Sequence, residues 1–288
     1  MDHLKNIARL LITCPDKPGI VASVTNFLYS HGVNITTLDQ YSTDAEGGNF
    51  FMRLEFQTPH MDISAPALEK AFAEVIAPKF EMQWHISYGA NIKRTAILVS
   101  RFDHCLQELL WLYKRGKLDT EIAMVISNHP DLKEDVEAYG IPFHYIPVKK
   151  GDKGASEQAM LELMEGKVDL VVLARYMQIL SGDFVSHFPQ QIINIHHSFL
   201  PAFVGADPYR QAYEKGVKLI GATAHYVIEE LDAGPIIEQD VARVSHRHSI
   251  EKMKDLGQDL ERTILANAVK WYLEDRIILA GNKTIVFE

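Results

Sequence analysis

The chain has 288 residues, 47% hydrophobic and 23% charged, which suits two globular domains with real cores and no disulfide staples. A formal net charge of −9, with no Lys/Arg-rich run, excludes the basic stripe that nucleic-acid binding needs; Lys149, Lys150 and Lys153 are the densest basic cluster and read as a solvated loop. No window nears the ~20 apolar residues of a membrane span, no signal-peptide core opens the chain, and Cys14 and Cys105 stand far apart, so a cytoplasmic protein with reduced thiols and a small-molecule partner is expected.

Residues 7–88 carry one self-contained pattern. Ile7 to Thr13 reads as a short buried strand and Pro15-Asp16-Lys17-Pro18-Gly19 as a turn, with Pro18 suited to a helix start. Ile20, Val21, Val24, Phe27 and Leu28 recur at helical spacing, and Gly32 stands where a glycine ends a helix. Strands are expected over Asn34–Ser42 and Asn49–Gln57, joined by Gly47-Gly48. A helix near Ala65–Ile76, with Leu68, Ala71, Phe72 and Val75 on one face, precedes a strand over Glu81–Ser87. The order βαββαβ is the ferredoxin-like plan.

After a linker at Tyr88–Asn91 the pattern changes. Apolar strands at Thr95–Ser100, Glu121–Ser127, Phe143–Ile146 and Val168–Leu173 alternate with helical stretches near Leu106–Tyr113, Leu132–Tyr139 and Ser156–Met164. That alternation predicts a parallel sheet covered on both faces. A long helix is expected over Ile250–Leu279 and a short strand over Thr284–Phe287.

In open α/β sheets ligands bind beyond the carboxyl ends of strands. Two ends stand out: Ile192–Ile195 leading into His196-His197-Ser198, and Gly221–Val227 leading toward Asp232-Ala233-Gly234-Pro235. Period-two geometry puts Asn194 and His196 on one side of an extended segment. A carboxamide can donate to a developing oxyanion, an imidazole can move protons, and a carboxylate can orient the imidazole. Asn194, His196 and Asp232 are therefore candidates for a hydrolytic site, although each residue type also occurs at strand ends for packing alone. Ser198 lacks a nucleophile elbow and reads as a turn residue. His246-Arg247-His248 reads as a solvated loop, and Trp84, Trp111 and Trp271 as core or interface residues.

These motifs resemble the formyltransferase fold family, whose donor is 10-formyltetrahydrofolate: Asn194-Ile195-His196-His197-Ser198-Phe199-Leu200-Pro201, then Leu231-Asp232-Ala233-Gly234-Pro235 about 36 residues on. The resemblance implies that Asn194, His196 and Asp232 are the catalytic trio. It also implies a folate pocket built from Met177, Gln178 and Leu180 of the Ala174–Ser181 segment, together with His197, Val227, Ile228 and Glu229. Cys14–Ile20 and His31–Ile35 resemble an ACT domain, a small-molecule sensor. ACT followed by a formyltransferase core is the arrangement of the formyltetrahydrofolate deformylase family.

The implied fold is α/β, with an N-terminal ferredoxin-like ACT domain over residues 1–88 and a C-terminal Rossmann-like formyltransferase domain over 89–288. The implied reaction is hydrolysis of 10-formyltetrahydrofolate to tetrahydrofolate and formate, serving one-carbon balance and purine synthesis, with no cofactor beyond the folate substrate. An amino-acid effector, glycine or methionine, is expected at Asp16, Gly19, Asn34 and Ile35, the turn with Asn34 close by; a purely structural subunit contact is the alternative. Edge-to-edge pairing of such domains implies a homo-oligomer, a tetramer or larger.

Departures from the transferases matter as much as the matches. After the first strand of the second domain, Ser100-Arg101-Phe102-Asp103-His104 has no glycine where glycinamide ribonucleotide formyltransferases carry a glycine-rich phosphate loop. Closing that place leaves water as nucleophile. Gln178 stands where an Arg is often found in the folate loop. His225 reads as a support for the Asp232 turn or as a packing residue. A transferase with another acceptor and a sensor without turnover are the rival readings; the intact trio speaks against the second.

Overall fold

A computed structural model describes residues 2–44, 46–148, 153–201 and 208–288, so Lys149 and Lys150 lie outside the described residues. The chain divides into two compact units. One holds residues 1–92 with 275–280 and 285–288; the other holds 93–274 with 281–284.

In the first unit the order is β1 (Ile7–Pro15), α1 (Ile20–Ser30), β2 (Asn34–Ser42), β3 (Asn49–Gln57), α2 (Ala65–Val75), α3 (Ala77–Phe80) and β4 (Gln83–Tyr88). The sheet order β2-β3-β1-β4 is antiparallel and gives the expected ferredoxin-like plan. Alternation assigns the faces. Ala8, Leu10, Ile12 and Cys14 join Phe50, Met52, Leu54 and Phe56 in one core with Val24, Leu28, Leu68 and Phe72 of the helices. The opposite face carries the buried cations Arg9 and Arg53, both on Glu55 Oε2 at 3.1 and 3.3 Å. It also carries Phe51, on which Ile278 and Phe287 of the chain's end pack.

The second unit comprises β5 (Lys93–Val99), α4 (His104–Lys114), β6 (Thr120–Ser127), α5 (Lys133–Glu137), β7 (Phe143–Tyr145), α6 (Lys153–Met164), β8 (Leu170–Ala174), α7 (Gly182–Ser186), β9 (Ile192–His196), α8 (Pro208–Lys215), β10 (Leu219–Tyr226), β11 (Ile236–Arg243) and α9 (Ile250–Leu273). After α9 come two short strands, β12 (Ile277–Ala280) and β13 (Lys283–Val286). Sheet order is β11-β10-β9-β8-β5-β6-β7. Strands β5 to β9 are parallel and Rossmann-like, and β8 is buried along its whole length, as a sheet covered on both sides requires.

Two expectations need correction. The sheet is not parallel throughout: β10 runs antiparallel to β9, and β11 antiparallel to β10. The last helix stops at Leu273 rather than Leu279. Asp275 turns the chain at a φ of 52°, and Arg53 Nε donates to its carbonyl at 3.0 Å. The apolar run that looked helical then extends as β12.

Helix α9 packs on β9, β10, β11, α4 and α8. Its inward face includes Met253, Gly257, Glu261, Ile264, Leu265 and Ala268, at helical spacing. Gly257 is required by contact, since a Cβ there would lie 1.9 Å from the Tyr209 hydroxyl of α8 and 2.3 Å from its ring carbon Cζ. Alanine would gain about 1 kcal/mol of helix propensity but force apart a packed contact, at a cost of roughly 1–3 kcal/mol. Gly257→Ala is therefore expected to lower the melting temperature despite the better helix former, as differential scanning fluorimetry would read.

Candidate active site

The turn of the chain at β10 assembles the site. In antiparallel register His225 lies opposite Asn194, and Thr223 opposite His196. Directly opposed residues share a face, as do residues two apart on a strand, so Asn194, His196 and His225 project together. Because β10 is antiparallel, its end at Tyr226 pairs with Ile193 and lies away from the carboxyl end of β9. Asp232 reaches His196 only because residues 227–235 double back: Val227 N–H donates to Ile192 O and Tyr226 N–H to Pro235 O, both at 2.9 Å. Gly234 permits the return, since a Cβ there would sit 1.8 Å from Tyr226 O. Asp232 itself holds a left-handed φ of 54°, a conformation Asp tolerates better than most residues.

The polar contacts are ordered by burial. Asp232 Oδ2 is 3.3 Å from His196 Nδ1, and the imidazole holds the carboxyl below the usual carboxylate range. His196 Nε2 is buried and has no hydrogen-bond partner among the described residues. Burial lowers the His225 pKa, which favours its neutral form. Its Nδ1–H then donates to Tyr226 O at 2.9 Å, so Nε2 is an acceptor and takes a hydrogen bond from Asn194 Nδ2 at 3.2 Å. That bond orients the Asn194 amide with its nitrogen inward and leaves its second N–H for a ligand. His197 is pushed down to about 4, by burial and then by the charge of Arg175.

A cleft of about 350 Å³ unites these residues. Asn194, His196 and Asp232 line it, and so does every expected pocket residue: Met177, Gln178, Leu180, His197, Val227, Ile228 and Glu229. The segment after β8 is tied at both ends. Ser100 N–H donates to Arg175 O at 3.2 Å, and Ser100 Oγ accepts from Met177 N–H at 2.9 Å. Ser181 donates through N–H and Oγ to the buried Glu157 carboxylate and caps α7. Between these anchors the apolar side chains Met177 and Ile179 stay exposed at the cleft's rim, with Ile228 and Leu231 across from the other loop.

Sequence reasoning missed the cluster under the cleft. Glu261 of α9 is 1% exposed and accepts from His104 Nε2 and Tyr209 Oη, both at 2.8 Å. Arg175 Nε lies 3.3 Å from the same carboxylate. Holding Arg175 at a φ of 62° costs about 1–2 kcal/mol that a glycine would not incur. The available signal was a carboxylate on the apolar face of a long helix, where a charge is found only when paired. His104, Cys105 and Glu261 offer donor atoms close enough for a metal ion, but burial raises the Cys105 thiol pKa well above its ordinary value and Arg175 already neutralises the carboxylate, so the set does not suit one.

The expected effector residues are not brought together. Asp16 and Gly19 line a hollow of about 440 Å³ with Lys17, Gln40, Tyr41 and Ser42. Asn34 lies at the other end of the sheet: it pairs with Gln57, which pairs with Ile7, whereas Ser42 pairs with Phe50 next to Cys14. Strands β1 and β2 run the same way on either side of β3, so a helix later in sequence does not return Asn34 and Ile35 to the Asp16 turn.

The buried neutral histidines carry a stability consequence. An unfolded chain protonates them near pH 6.5, while folded His197 resists until about 4. This part of the stability is therefore complete above pH 6.5 and is lost as pH drops toward 4. The expected result is a melting temperature that declines across that window, and declines less in His197→Gln.

Comparison with known proteins identifies the family of the chain. Residues 93–269 match the formyl transferase family and residues 8–73 the ACT domain. A formyltetrahydrofolate deformylase of Bacillus subtilis is 56% identical, covering 99% of this chain and 95% of that protein. The crystal structure of a formyltetrahydrofolate deformylase from Pseudomonas syringae superposes with a TM-score of 0.94 at 49% identity, over 98% of this chain and 95% of that one. A glycinamide ribonucleotide transformylase from Symbiobacterium toebii matches less of the chain, with a TM-score of 0.65 at 30% identity over 71% of this chain and 97% of its own. Likeness that runs nearly end to end through both units, and not through the transferase fold alone, makes the chain a member of the formyltetrahydrofolate deformylase family.

Proposed function

We propose that the cleft hydrolyses 10-formyltetrahydrofolate to tetrahydrofolate and formate, with Asn194, His196 and Asp232 as catalytic residues. The observation that carries this reading is the pairing of His196 Nδ1 with Asp232 while Nε2 remains buried and without a partner. Asp232 favours the tautomer with hydrogen on Nδ1, which makes Nε2 a proton acceptor facing whatever fills the cleft. Water gives a proton to Nε2 as its oxygen attacks the formyl carbon. The free N–H of Asn194 donates to the formyl oxygen as negative charge develops. The tetrahedral species collapses, the carbon–nitrogen bond breaks, and His196 returns the proton to the departing folate nitrogen. The carbon leaves as formate.

Met177, Leu180, Val227 and Ile228 supply apolar walls suited to a flat conjugated ring, and Gln178, His197 and Glu229 polar edges for its orientation. The N-terminal unit is read as regulatory, sensing an amino acid such as glycine or methionine in the hollow beside Asp16 and Gly19; Asn34 and Ile35 of the same chain have no place in that hollow. A homo-oligomer paired through sheet edges, a cytoplasmic location and a role for the released formate in purine synthesis complete the reading. Two buried free cysteines suit a reducing compartment.

The test is turnover with no acceptor present. Purified protein should release formate and tetrahydrofolate in equal amounts. Asp232→Asn should bind folate with near-normal affinity yet lose about 10³-fold or more in kcat, because the amide no longer favours the working tautomer. Folded protein that binds the folate but yields no formate would refute the hydrolase.

A further inference from the structure

Members of the same fold differ in what receives the formyl group. The transformylase from Symbiobacterium toebii is named for glycinamide ribonucleotide, and it matches 71% of this chain. The fold itself therefore does not choose between water and an amine. The choice lies in residues beside the reacting centre.

Arg175 stands out there on three independent grounds. Its backbone is left-handed, where glycine fits without strain. Its side chain is 8% exposed and Nε has no hydrogen-bond partner among the described residues. It is nevertheless held: Glu261 Oε2 lies 3.3 Å from Nε, and the guanidinium carbon sits 5.2 Å from the centre of the Phe102 ring. Glu261 is fixed in turn by His104 of α4 and Tyr209 of α8. A side chain kept in an awkward backbone conformation and fastened from several elements serves something other than local folding.

Its position indicates what. Along the segment after β8, Arg175 and Tyr176 are buried while Met177 and Ile179 are exposed, so Arg175 occupies the deep end of the cleft shared with Asn194, His196 and Asp232. The cleft's volume of about 350 Å³ lies at the low end of the ~300–1,000 Å³ typical of sites that bury one small ligand.

We propose that the Arg175 side chain, clamped between Phe102 and Glu261, is the specificity-determining residue that fills the acceptor's place and restricts the nucleophile to water. This rests on the hydrolase reading above. With a primary amine admitted instead, the amine nitrogen would attack the formyl carbon, the bond to the folate nitrogen would break, and the amine's proton would pass to that nitrogen, giving a formamide and tetrahydrofolate.

The experiment supplies 10-formyltetrahydrofolate and millimolar glycinamide as a small amine probe, and measures formylglycinamide and formate together against a protein-free control. Wild type is expected to give formate with formylglycinamide no higher than in the protein-free control, whose level sets the reference ratio. Arg175→Gly suits the local backbone and leaves Glu261 with His104 and Tyr209 as partners; it is expected to raise the formamide-to-formate ratio at least tenfold. A merely structural role would slow both products and leave the ratio unchanged. Should Arg175→Gly fail to fold, Phe102→Ala removes the half-exposed ring that clamps the guanidinium and is expected to shift the ratio about threefold in the same direction. A folded, active Arg175→Gly with the wild-type ratio overturns the proposal, as does an unshifted Phe102→Ala where only that variant folds, or formamide from the wild type above the protein-free control. Absence of any formate from the wild type defeats the hydrolase itself, a different outcome from an unchanged ratio.

Discussion

The antiparallel run of β10 against β9 is the constraint on which the site depends. A parallel β10 would have ended beside the carboxyl end of β9, and the loop after it would have needed no return to meet His196. Reversal instead sets His225 opposite Asn194 and obliges residues 227–235 to fold back over the same face. The return needs a position without a side chain at Gly234, where Tyr226 O comes closer than any Cβ could allow. One close backbone approach thus determines whether the Asp232 carboxylate meets the imidazole at all.

Burial then assigns charge. A charged group taken from water must find a partner or neutralise. Asp232 stays ionised because His196 stands beside it, whereas His225 and His197 are pushed toward their neutral forms. Neutrality of His225 is what makes it an acceptor for the Asn194 amide. Beneath, Glu261 remains a carboxylate because three side chains serve it; its pKa is lowered even though burial alone would raise it. Removing a single partner from such a set costs more than the set contributes relative to an apolar core, which ties the packing of α4, α8 and α9 to the deep wall of the cleft.

In the N-terminal unit the same principle acts on the second face of the sheet. Arg9 and Arg53 share Glu55, and Arg53 also takes the carbonyl of Asp275. The chain's end thereby covers a face that would otherwise leave Phe51 and two guanidinium groups in solvent.

The buried strand read at Ile7–Thr13, the helical spacing of Val24, Phe27 and Leu28 and the strand and helix pattern that follows determined the ferredoxin-like unit from sequence alone, because local periodicity encodes which side is buried. Continuous apolar runs such as Leu170–Leu173 likewise announced a sheet covered on both faces, and the motifs around Asn194, His196 and Asp232 marked the cleft. Only tertiary structure decided strand direction, since an apolar run reads the same whichever way it lies; hence the reversal of β10 was not legible. Nor was the separation of Asn34 from Asp16, which follows from β1 and β2 running the same way, so that β2 starts at the end of the sheet opposite to where β1 stops. Past the last helix a distant Arg53 bonds the carbonyl of Asp275, and Glu261 met Arg175 across 86 positions of chain. Contacts between residues so remote leave no local period, and they are what shaped the cleft's deep end.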